Sequence, residues 1–277
     1  MAPRPHHPYF AGSPLLMAHR GGARLAPENT MAAFTAAVER WEADVLEMDV
    51  RATRDGVIVV HHDPTVDRTT DGRGAVRDHD WPELARLDAG HTFLDLQGEP
   101  SFRGRGVRIP RFEEVLEAFP RTRINVESKS ADAAAGLVRV IRAHKAEERV
   151  LVAAQYERTR VEARGYAGPW GASEAQIRLL WVLRHLPFRV YTPRADAMQI
   201  PDSWKGRTIA TRGFIADAHA RGLPVHVWVV DRPERMVELL EWDVDGIQTD
   251  RPDLLARVLV ERVGRRPPPG LGPAEAG

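Results

Sequence analysis

The chain has 277 residues, enough for one large α/β barrel or two ordinary domains, and either would bury a sizeable core. Its 39 basic and 39 acidic side chains cancel, so the overall charge does not resemble the basic footprint of a nucleic-acid binder or a polybasic membrane anchor, and any attraction for phosphate must be local. The absence of cysteine excludes disulfides, thiolate metal sites and cysteine nucleophiles, and it fits a reducing, cytoplasmic location.

Residues 1–13 carry Pro3, Pro5 and Pro8 and no long apolar core, so they read as an N-terminal extension, neither a signal peptide nor a transmembrane segment. A short apolar run at 15–18 ends in His19-Arg20-Gly21-Gly22, after which Asn29-Thr30 caps an amphipathic helix reaching about Trp41. Residues 45–50 and 57–60 read as strands, and a helix over 110–119 opens at Pro110, a residue suited to a first turn. Between them, 63–107 holds the turn-rich Thr69-Thr70-Asp71-Gly72-Arg73-Gly74 and is too long for an ordinary connection. It reads as an insertion after the second strand, expected over the barrel mouth. A strand at 124–126, a helix over 132–148 and a strand at 150–154 follow. Leu179-Leu180-Trp181-Val182-Leu183 and Leu186-Pro187-Phe188 form a dense apolar patch within 177–200, read as an outer barrel helix, with a lipid-contacting lip as the competing reading. A strand at 225–230, a helix over 233–242, a strand at 246–248 and a helix over 252–263 complete the pattern. Residues 264–277 are rich in Pro and Gly without periodicity and are expected to be disordered. Strand and helix alternate across 14–263, which predicts a closed (β/α)8 barrel.

Glu47 and Asp49 lie two apart on a predicted strand, so both side chains leave the same face and can share a cation. Glu127 ends another strand in the same way. Three carboxylates from two strands make a hard oxygen site suited to one divalent cation, Mg2+ or Ca2+. His19 and His62 both follow apolar runs, and a pair of imidazoles permits one acid and one base in phosphoester cleavage. His61 is the confounder, because strand alternation points it away from His62. Asp63 is placed to orient a neighbouring imidazole. Arg20 and Lys129 would set positive charge on diester oxygens, although a structural pairing of Arg20 with Glu28 fits the spacing as well. Trp228 shares a strand face with His226, either as a wall against substrate or as a core tryptophan.

Read in order, these residues resemble the glycerophosphodiester phosphodiesterase family, a metal-dependent TIM-barrel group related to phosphatidylinositol-specific phospholipase C. The resemblance rests on His19-Arg20-Gly21-Gly22, Pro27-Glu28-Asn29-Thr30, Leu46-Glu47-Met48-Asp49-Val50, Asp55-Gly56, His62-Asp63, Asp67-Arg68-Thr69-Thr70, Glu127-x-Lys129 and Asp245-Gly246-Ile247-Gln248-Thr249-Asp250. It implies metal binding by Glu47, Asp49 and Glu127, an acid-base pair of His19 and His62, and phosphate binding by Arg20 and Lys129. It also implies hydrolysis of small glycerophosphodiesters to an alcohol and glycerol 3-phosphate, with a small lid formed by 63–107. Trp228-Val229-Val230-Asp231 departs from the family's usual Trp-Thr-Val-Asn and puts substrate preference in question. Ala197 to Pro201 and Val225 to Trp228 are similar to the lysophospholipase D subgroup, so a lysophospholipid substrate with transient membrane contact is the alternative. A barrel that binds phosphodiesters without turnover is the second alternative. An amidohydrolase would want a His-x-His pair after the first strand, and none is present. The oligomeric state is left open.

Overall fold

The computed structural model describes residues 7–186 and 190–272. Parallel strands β1 (Leu15–Ala18), β2 (Val45–Ala52), β4 (Arg123–Ser128), β5 (Val150–Ala153), β6 (Met198–Pro201), β9 (Val225–Trp228) and β10 (Gly246–Thr249) lie side by side in the order β5, β4, β2, β1, β10, β9, β6. Parallel bridges from Val152 to Trp170 and from Gly171 to Ala197 join the two ends of that row. The ring therefore closes at eight positions, one of them shrunk to residues 170–171, as a (β/α)8 barrel.

Outside the ring stand α1 (Met31–Trp41), α3 (Phe112–Ala118), α4 (Ala131–Ala143), α5 (Glu157–Glu162), α6 (Glu174–Leu183), α7 (Arg212–His219), α8 (Pro233–Leu240) and α9 (Pro252–Val263). Each starts and stops for a local reason. The Thr30 hydroxyl accepts the Ala33 N–H to open α1, and Pro252 begins α9, which Gly264 closes in the left-handed conformation. The helix expected from Pro110 begins after Arg111 instead, because the Pro110 carbonyl accepts the Val60 N–H at 2.9 Å as an extension of the sheet. The helix expected to reach residue 148 stops at Ala143, where Lys145 turns left-handed with φ 51°.

The strand at 57–60 is β3 (Ile58–Val60), but it runs antiparallel to β2 and is not a barrel stave. It leads into the insertion from the carboxyl end of β2. There Val59, Val66, Val76, Leu84, Ala89 and Ile109 form a separate small core, with the short helix α2 (Trp81–Leu84) in it. The expected cover over the barrel mouth comes instead from α6 and from a hairpin of β7 (Ser203–Trp204) and β8 (Arg207–Thr208), both of which line the cavity there. No residue of 64–107 lines that cavity.

The opposite pole is plugged by the segment before β1. Tyr9 and Phe10 are buried with Leu15, Met17, Val45 and Leu151, so these two residues of the extension belong to the core. The expectation of a disordered tail is corrected for 264–272. Arg265 donates to Asp44 at 2.7 Å and also to the Pro14 carbonyl, and Pro269–Leu271 forms a short turn packed on α1. Asp44 also accepts the Leu16 N–H at 2.8 Å and pairs with Arg123, which in turn donates to the Tyr9 carbonyl. Paired charges and the packing of Leu271 on the core hold the tail, and composition is blind to both. Residues 273–277 and 1–6 lie outside the described residues.

His226 faces the barrel interior below the site, fully buried, with Phe10 packed at 6.0 Å between ring centroids and neither ring nitrogen hydrogen-bonded. Burial pushes its pKa down from 6.5 to about 4. A base with a depressed folded pKa lets the unfolded chain take the proton first, so stability present above pH 6.5 drains away as pH falls toward 4. The expected loss is about 3 kcal/mol across that window, and His226→Leu should flatten it in urea melts at stepped pH. An unchanged slope would remove His226 from the acid response.

Candidate active site

A cavity of about 830 Å3 opens at the carboxyl ends of the strands, where (β/α)8 barrels place their reactive groups. His19, Arg20, Glu47, Asp49, His62, Glu127, Lys129 and Trp228 all line it, so the structure brings together every site residue expected from sequence. Strand register explains the floor. Glu47 sits opposite Asn125 and Asp49 opposite Glu127 in the β2–β4 ladder, two layers of inward side chains set by the two-residue period.

His19 and Arg20 occupy a tight turn after β1, with Arg20 at φ 49°. The Arg20 N–H donates to the Glu47 carboxylate at 2.8 Å, while its guanidinium donates to Glu28 at 2.9 Å and pairs with Asp49 at 3.2 Å. Arg20 thus makes the Glu28 pairing and faces the site as well. Gly21 follows at φ 83°, and a Cβ there would stand 2.7 Å from the Ala33 Cβ. Only glycine lets the turn lie this close on α1.

Both histidines are held through Nδ1 by a carboxylate. His19 Nδ1 lies 2.7 Å from Asp250, and His62 Nδ1 lies 2.6 Å from Asp63. Each Nε2 is left to face the reaction, the second-nitrogen arrangement that fixes a histidine's tautomer. Asp250 is itself fixed, because its backbone N–H donates to Asp231 at 2.9 Å, and Asp231 also accepts the Thr249 hydroxyl at 2.8 Å. Asp63 accepts Arg68 at 2.6 Å, and Arg68 grips Glu28 with two bonds of 2.7 Å. One chain of ionic contacts therefore links His62, Asp63, Arg68, Glu28, Arg20 and Asp49. His61 points away and bonds the Thr65 carbonyl.

Burial disfavours the charged form of His19, but Glu47 and the bond to Asp250 outweigh it and raise the pKa above the ordinary value. For His62 burial wins over Asp49 and Asp63, and the pKa falls. The neighbouring carboxylates diverge too. Burial and the charge of Asp49 raise Glu47, whereas Lys129 and Arg20 more than offset burial at Asp49 and lower it.

Sequence reasoning missed Asp250 as the partner of His19 and Asn29 as the clamp on Asp49. Asn29 donates to that carboxylate at 3.0 Å and accepts the Asp49 N–H at 3.2 Å. Both residues stood in recognised motifs, but nothing local in the sequence tells which partner each one takes. The apolar side of the cavity differs from expectation as well. On α6, Leu180 is buried but Trp181 and Val182 are exposed at 38% and 62% and line the cavity with Ile177, so this helix is a rim and not a covered barrel helix. Phe188 and Pro187 lie outside the described residues.

Glu47, Asp49 and Glu127 supply hard oxygen donors of the kind a divalent cation takes, and burial together with the charge of Asp49 raises Glu47. The donors fit in kind. Among the described residues no preformed cluster of three or more such donors exists; Lys129 stands between Asp49 at 3.0 Å and Glu127 at 2.8 Å.

Residues 19–254 match the model of the glycerophosphoryl diester phosphodiesterase family. The chain belongs to that family. A protein of this family from Mycobacterium tuberculosis, named "Probable glycerophosphodiester phosphodiesterase 2", is 37% identical over 259 residues, covering 91% of this chain and 92% of its own. The crystal structure of the glycerophosphodiester phosphodiesterase from Agrobacterium tumefaciens superposes with a TM-score of 0.70 at 30% identity, covering 87% of this chain and 98% of the other. A phosphodiesterase from Oleispira antarctica, solved with the product sn-glycerol-3-phosphate, shares the fold with a TM-score of 0.73 at 24% identity over 89% of this chain and 96% of the other.

Proposed function

We propose that this member of the family hydrolyses glycerophosphodiesters to an alcohol and glycerol 3-phosphate. The observation that carries the reading is the convergence of two carboxylate-oriented histidines on a floor of Glu47, Asp49 and Glu127 with two cations beside it. The product bound to the Oleispira antarctica protein agrees with it. One divalent cation, Mg2+ or Ca2+, would be held by the three carboxylates and would supply positive charge to polarise the phosphate. Arg20 and Lys129 hold the diester oxygens, where negative charge grows. One of His19 and His62 takes the proton from the nucleophile, which is water or a neighbouring glycerol hydroxyl whose cyclic phosphate water then opens, and the other returns a proton to the leaving alkoxide. Trp228, half exposed above them, forms a wall against the substrate carbon. A cytoplasmic location belongs to this reading.

Asp250 is a positioning residue in this scheme. Asp250→Asn removes the anion that orients His19 and stabilises its charged form, and kcat should fall roughly a hundredfold to a thousandfold with KM and melting temperature little changed. A variant that loses affinity and keeps kcat would place Asp250 elsewhere in the mechanism.

The exposed apolar wall of α6 favours a second reading, cleavage of lysophospholipids to lysophosphatidate with transient contact to a lipid surface. The deciding experiment compares glycerophosphocholine with lysophosphatidylcholine, first in EDTA and then with Mg2+ or Ca2+ restored, following choline and the phosphate product. Metal-restored cleavage of the small diester is expected. Preference for the lysolipid establishes the second reading, and turnover that survives EDTA, or none at all, sinks both.

A further inference from the structure

Exposed apolar side chains scattered singly over a soluble protein are ordinary, but a group of them beside a reactive cleft is not. Leu179, Trp181 and Val182 stand exposed on α6, and Trp204 stands exposed at 45% on the facing hairpin. The helix is anchored from beneath by Leu180 and by the Ser173 cap, so its outer face is free without the helix being loose. Charge accompanies the patch. Arg178 and Lys205 lie over the Trp204 ring at 4.9 and 4.5 Å. Glu174 neutralises Arg178 at 2.5 Å, while Lys205 and Arg207 make no ion pair among the described residues. The lip is therefore apolar and net positive on a chain whose total charge is zero.

Indole rings beside unpaired cations suit the boundary between acyl chains and anionic headgroups, where rings sit at headgroup depth and each cation gains from the surface potential. Trp181, Val182, Trp204, Lys205 and Arg207 also line the cavity that reaches His19 and His62, so the outer patch and the reactive cleft are continuous. We propose that the α6 and β7–β8 lip docks on an anionic lipid bilayer, letting an amphiphilic diester pass from the bilayer into the cleft. Contact would be peripheral, since no helix among the described residues is long and apolar enough to cross a membrane. What is cleaved after docking rests on the phosphodiesterase reading; docking itself is measured apart from it.

The test is co-sedimentation of the full chain with vesicles of phosphatidylcholine alone or mixed with phosphatidylglycerol, at low and high salt. Binding to the mixed vesicles only, weakened by salt, is expected. The double variant Lys205→Glu, Arg207→Glu should lower the binding constant roughly tenfold or more. Leu179→Glu, outside the cavity, should also weaken binding while hydrolysis of soluble glycerophosphocholine continues at the wild-type rate; that activity shows the variant folds. Binding that is absent, indifferent to headgroup charge or unmoved by these substitutions overturns the proposal, as does a stable dimer that buries the lip and ignores vesicles. Vesicle binding without any diester hydrolysis would leave docking intact and refute the function proposed above.

Discussion

His19→Ala and His62→Ala are each expected to lower kcat by roughly three orders of magnitude or more while melting temperatures stay within a few degrees of wild type. Both imidazoles are partly exposed in the cavity, at 15% and 30% of their side-chain surface, so truncating them opens no hole in the core. The loss falls on turnover because each ring acts in proton transfer. The double variant should lose little more than the worse single one, since a reaction without its acid is already limited by that step. Additive losses would show that the histidines work in separate steps, and a folded single variant with normal turnover would remove that residue from the mechanism.

Lys129→Met is the second large effect. The ammonium is held charged despite burial because Asp49 and Glu127 flank it and raise its pKa. Removing it takes a cation from the phosphate and should lower kcat/KM roughly a hundredfold to a thousandfold. It also leaves Asp49, 1% exposed, with only Arg20 and Asn29 for company. Breaking a fully buried pair costs about 3–5 kcal/mol, and the remaining partners should hold the loss below that. Added Mg2+ or Ca2+ is then expected to raise the melting temperature of the variant more than that of wild type. Equal shifts, or a variant as active as wild type, would detach Lys129 from both roles.

The floor of the site was legible because strand geometry is local. A period of two put Glu47 with Asp49 and aligned Glu127 with them, whereas strand alternation only separated His62 from His61 and the family resemblance chose between them. What stayed hidden depends on partners far along the chain. Asp250 meets His19 across 231 positions, and Arg68 meets Glu28 across 40. The insertion was visible as an interruption, but its direction was not, because β3 reverses against β2 in three residues. α6 misled for a different reason: its apolar run reads alike whether a helix is covered or forms a rim, and only the placement of its neighbours separates the two.

Asp44 gives the molecule a clasp. One carboxylate receives the first barrel strand, the arginine that steadies the leading segment and the arginine that leads the trailing one. Neither end can be peeled back alone, because lifting residue 265 unpairs the same acid that steadies residues 9–16. A pull or a protease acting at either end meets one cooperative knot at the base of the barrel.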